Sequence, residues 1–62
     1  MFIIQLIDKD SKNRWDGITI ELKTIPQKDS SIILKNGQVV KVLHINYLVE
    51  ASMDVRLVCE GK

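Results

Sequence analysis

Along much of the chain, apolar and polar side chains alternate one for one. Ile18, Ile20 and Leu22 are separated by Thr19 and Glu21, with Lys23 following. Met53, Val55, Leu57 and Cys59 alternate with Asp54, Arg56, Val58 and Glu60. A period of two puts one set on each face of a pleated strand, so both stretches predict half-buried β-strands. Residues 2–7 are apolar on both faces except at Gln5, which predicts a strand that is covered twice or lies at an interface. Residues 31–34 and 39–49 complete a set of five. Nine isoleucines and six valines against a single alanine point the same way, because β-branched side chains sit more comfortably on a strand than against a helical turn. Five strands in 62 residues leave little or no room for helix.

The connections follow from turn chemistry. Residues 8–17 form a long polar loop; pairing Leu6 with Ile18 across it sets Ile4 opposite Ile20 and Phe2 opposite Leu22, all on one face. Pro26 has no N–H to continue a ladder and opens a turn through residues 27–30. Asn36-Gly37 signals a hairpin with two possible registers. A two-residue turn puts Lys41 on the face of Ile32, Leu34 and Val39. A three-residue loop with Gly37 in the left-handed conformation gathers Ile32, Leu34, Val40 and Val42, with no charge among them. A one-residue slip flips every side chain, so the charge-free face is expected. Further on, the inward set changes parity, from Val40 and Val42 to Ile45, Tyr47 and Val49 opposite Met53, Val55 and Leu57. That change predicts a bulge or bend near Leu43 and His44.

The expected fold is thus one all-β domain over residues 1–62, a five-stranded antiparallel, partly open barrel. A long loop after the first strand, then short-looped strands with a bent fourth, resembles the Src-homology-3 type of barrel. Pro26, Ile32, Leu34, Gly37, Val40, Val42 and Ile45 also stand where short phage and prophage proteins of that shape carry their shared positions, so residues 25–58 are similar to that group. Asp29-Ser30 replaces their usual Gly-Asp, and the hairpin is one residue longer. The resemblance implies a fold and no activity; it suggests a small accessory or assembly factor.

Sites of chemistry are sparse. Asp8 and Asp10 begin like a calcium loop, but Lys12, Asn13 and Thr19 fall where a ligand, the glycine and the bidentate glutamate belong. His44 and Cys59 are expected on opposite faces, with no third group to orient the imidazole. The three glycines are scattered, and no pair of carboxylates has a fixed spacing. No enzyme, cofactor or metal is expected. Nine Lys/Arg against eight Asp/Glu give no pull toward nucleic acid or acidic lipid. Single-strand binding by a small barrel is the alternative function, and it needs aromatic platforms on a basic groove; Lys9, Lys12 and Arg14 lie near Trp15, but Asp8, Asp10 and Asp16 offset them.

No stretch approaches the ~20 apolar residues of a membrane span, and residues 1–8 lack the basic leader of a signal peptide. With one unpaired cysteine, the expected location is the cytoplasm.

What remains is surplus hydrophobicity in a domain whose core is marginal at this length. Ile3, Ile7, Ile33, Val39, Leu48 and Val58 are expected to point outward, with Ile33 and Val39 adjacent across a hairpin. Contiguous patches on small domains mark interfaces. Ile3, Ile7, Trp15, Ile33 and Val39 are therefore the candidate contact residues of a non-enzymatic protein-interaction module, a homodimer first and a hetero-protein complex second. Trp15 has two readings: a plug over one open end of the barrel, or an exposed anchor for a partner.

Overall fold

The computed structural model describes residues 1–49 and 52–61, and among them it contains five strands and no helix. They are β1 (Phe2–Asp8), β2 (Thr19–Leu22), β3 (Ser31–Ile33), β4 (Val39–Tyr47) and β5 (Val55–Gly61). The first hairpin has the expected register, with Phe2 opposite Leu22 and Ile4 opposite Ile20; the Leu6 amide donates to the Ile18 carbonyl at 2.9 Å. The second has the glycine loop: Ile32 faces Val40, the Leu34 amide donates to the Gln38 carbonyl at 2.8 Å, and Gly37 has φ 88°. A register shift falls between Val42 and His44, so that Val42 faces Cys59 while His44 faces Val58. The extra residue turns Ile45 back toward the core side, where it packs against the buried cluster.

The strands form one sheet in the order β2-β1-β5-β4-β3. The expectation of a wholly antiparallel sheet is corrected here, because β1 and β5 run parallel, with Ile4 beside Val55 and Leu6 beside Leu57. Burial accounts for this arrangement. β1 and β5 each bring three fully buried positions to the inner face, and pairing them centrally lets the shorter β2 and β3 take the edges.

Both edges border the same cleft, so the sheet is curled into a half-barrel. Its concave face carries Ile4, Leu6, Val40, Val42, Val55, Leu57 and Cys59, with Trp15 packed among them. Ile18, Ile20, Leu22, Ile25, Ile32, Leu34 and Ile45 surround this centre in half-buried positions. Three residues expected inside are not. Phe2 is 38% exposed, Tyr47 69% and Val49 93%. The register of Phe2 and Tyr47 is as expected, but Phe2 faces the last residue of β2 and Tyr47 the first of β5. Both therefore stand at the ends of their ladders, outside the buried cluster. Strand β4 also stops at Tyr47 rather than residue 49, and β5 starts at Val55 rather than Met53. Of the expected loop 50–52, Glu50 and Ala51 lie outside the described residues.

Candidate functional site

The loop between β1 and β2 is built around one carboxylate. Asp8 is 1% exposed although it opens a polar segment. Its Oδ2 accepts from the amides of Lys12 and Asn13, each at 2.8 Å, and from Asn13 Nδ2 at 2.9 Å. Its Oδ1 accepts from the Asp10 amide at 3.1 Å, while its own amide donates to Asp16 Oδ1 at 2.8 Å. Burial pushes the Asp8 pKa upward, but the amides of Asp10, Asn13 and Lys12, with the Asn13 side chain, more than offset this and hold it at about 2. Donors converge on both oxygens, the arrangement of a loop staple. Among the described residues, no three His, Cys, Asp or Glu side chains are grouped as metal ligands.

The stapled loop carries Trp15 onto the core, where the indole is 4% exposed. The indole is thus covered by the core cluster rather than exposed. Its Nε1 is buried without an acceptor, an arrangement that costs roughly 1–3 kcal/mol for an amide-like group. Trp15 also forms part of the wall of a cleft of about 1040 Å³. One side of that cleft is β2 with the residue before it, contributing Ile18, Ile20 and Leu22. The other side is β3 and its turn, contributing Ile32, Ile33 and Leu34. Arg14, Glu21 and Lys35 supply charge around it.

Strand edges give this cleft a polar capacity that its side chains lack. The Leu6 amide meets the Ile18 carbonyl, and the Gly17 amide meets the Leu6 carbonyl at 2.7 Å. Antiparallel backbone groups alternate in direction, so Ile20 and Leu22 also turn toward β1, and Thr19 and Glu21 turn toward the open edge. On the other side, Leu34 bonds Gln38 and Ile32 faces Val40, which turns the Ile33 backbone outward by the same rule. The Ile33 side chain is 73% exposed.

The five predicted contact residues separate. Ile3, Trp15 and Ile33 border the cleft; Ile7 and Val39 are half-buried and lie away from it. Ile33 and Val39 are cross-strand neighbours as expected. Sequence reasoning missed Asp8, for which the signal was an acidic residue followed five positions later by Asn, a pattern suited to local side-chain-to-backbone bonds. It also missed the cleft itself, which depends on where the two edges come to rest.

Cys59 is buried and desolvation pushes its thiol up to about 11. His44 is exposed on the other face. Trp15, the aromatic on which the nucleic-acid reading relied, is covered, whereas Tyr47 is exposed at the end of β4. No helix among the described residues is long and apolar enough to cross a membrane. Comparison with protein-family models, curated proteins and solved structures found no match.

Proposed function

We propose that this chain is a non-enzymatic protein-interaction module that receives another polypeptide at the cleft between β2 and β3. One observation carries the reading: two strand edges border a single, largely apolar cleft. Natural sheets ordinarily protect their edges, and an edge that stays open is the element used when a partner adds a strand. Ile33 supports the same reading, because a large apolar side chain lies exposed beside that edge. The partner is a second copy or a different protein. The resemblance read from the sequence alone, of residues 25–58 to short phage and prophage proteins and of the succession of loops and strands along the chain to Src-homology-3-type barrels, makes a small accessory factor of that kind our reading of its class; that step is analogy.

The test compares the unaltered chain with Ile33→Asp and Lys28→Asp. Each is sedimented over a concentration series and used as bait for proteins of the source cells. Both positions are exposed, so each variant is expected to stay folded to within about 0.5 kcal/mol. Association retained by Lys28→Asp and lost by Ile33→Asp supports the cleft. Equal association of all three, or none in either format, overturns it.

A further inference from the structure

Resting on that reading of the cleft, we infer that its occupant is a short extended segment of another protein, with apolar side chains at alternate positions and at least one carboxylate. The segment closes the half-barrel as a strand between β2 and β3.

Direction and length come first. β2 is antiparallel to β1, β5 is parallel to β1, and β4 and β3 each reverse their neighbour. β2 and β3 therefore run in opposite senses. A strand placed between them is antiparallel to one edge and parallel to the other, the same mixture already present at β1 and β5. The edges are four and three residues long, so the paired part of the segment is short, about four to six residues at ~3.3 Å each. Thr19, Glu21 and Ile33 turn backbone groups to the cleft, and these give an extended chain its affinity without regard to its sequence.

Side chains supply the selectivity. Ile18, Ile20, Leu22, Ile32 and Leu34 favour apolar groups on the inner face of the segment. Around the cleft, Arg14 and Lys35 face a single acid, Glu21. The ion pairs among the described residues are Lys9–Glu60 and Lys41–Asp29, so neither Arg14 nor Lys35 has an ion-pair partner among those residues. A carboxylate on the incoming segment answers that excess, whereas a basic segment meets like charge. A second copy fits less well, because each of its free edges is itself one wall of such a cleft and brings a curled sheet with it.

A display library of random twelve-residue peptides, panned on the intact chain, tests this occupant. Enriched peptides are expected to alternate apolar and polar residues and to contain Asp or Glu. As synthetic peptides they should perturb the amide resonances of Thr19, Glu21 and Ile33. They should bind the Arg14→Glu, Lys35→Glu double variant at least tenfold more weakly. No enrichment, enrichment of basic or helically patterned peptides, or affinities unchanged in the double variant would overturn the inference. If the panning fails while Ile33→Asp still abolishes association of the unaltered chain, the cleft stands as an interface and the acidic strand does not. Self-association that Ile33→Asp removes, with no peptide enriched, assigns the cleft to a second copy.

Discussion

Replacing Trp15 decides whether the indole is a structural cover or a surface for partners. Removing a buried tryptophan side chain costs about 3–5 kcal/mol. Trp15 is 4% exposed and packed on the central cluster, which puts it in that class. A domain of 62 residues, at about 0.05–0.15 kcal/mol per residue, holds only about 3–9 kcal/mol in all. Trp15→Ala is therefore expected to consume from a third of the stability to the whole of it. Trp15→Phe keeps a ring on the core and removes an N–H whose unsatisfied burial costs roughly 1–3 kcal/mol, so it should lose less than half as much. Urea unfolding followed by far-ultraviolet circular dichroism measures both, since the only tryptophan is the residue replaced. An alanine variant within ~0.5 kcal/mol of the unaltered chain, the range of ordinary surface changes, would refute the structural role and return Trp15 to the list of partner contacts.

Three further outcomes are expected. Gly37 has φ 88° and open space where a Cβ would stand, so Gly37→Ala should cost about 1–2 kcal/mol through backbone conformation alone; a neutral result in urea unfolding would contradict the glycine-loop register. The folded Asp8 pKa lies near 2, below its ordinary 3.8, so its contribution to stability is complete above about pH 4 and disappears as pH falls toward 2. The melting temperature should drop across that window in the unaltered chain and drop less in Asp8→Asn; identical profiles would remove Asp8 as the cause. The Cys59 thiol, buried and held at about 11, should resist a disulfide-exchange reagent at pH 8 and react once urea unfolds the chain; rapid labelling of folded protein would show that the β5 face opens.

Local features of the fold could be read from the chain, and distant ones could not. Alternation around Ile18–Leu22 and Val55–Cys59 located strands because a two-residue period belongs to one element. The charge-free face of Ile32, Leu34, Val40 and Val42 selected the hairpin register because a slip would have buried Lys41. The parity change after Val42 marked the bulge for a similar reason. By contrast, the parallel contact of Ile4 with Val55 joins residues far apart in the chain, and no nearby residue encodes it. Tyr47 and Phe2 had the right partners and the wrong burial, because alternation specifies a face and is silent on where the covering layer ends. The polar composition of residues 8–17 concealed the burial of Asp8, since a carboxylate enclosed by backbone donors satisfies itself without water. At the site, Ile3 and Ile33 were named from surplus hydrophobicity. Their juxtaposition with Arg14 and Lys35 required the curl of the sheet.

The central position of β1 and β5 also sets the order of events in folding. The contact between Ile3 and Asp54 spans 51 positions of the chain, and every ladder bond between these two strands closes a loop of nearly that size. Hairpins β1–β2 and β3–β4 are local and can form within microseconds, but each leaves one face of its apolar set bare until β5 is in place. Loop closure over such a distance is a slow, entropically costly step. On a ribosome, therefore, the early strands wait with their hydrophobic faces uncovered until the last strand has emerged. Emergence of β5, rather than the completion of any one hairpin, is then the moment at which this half-barrel can close its core.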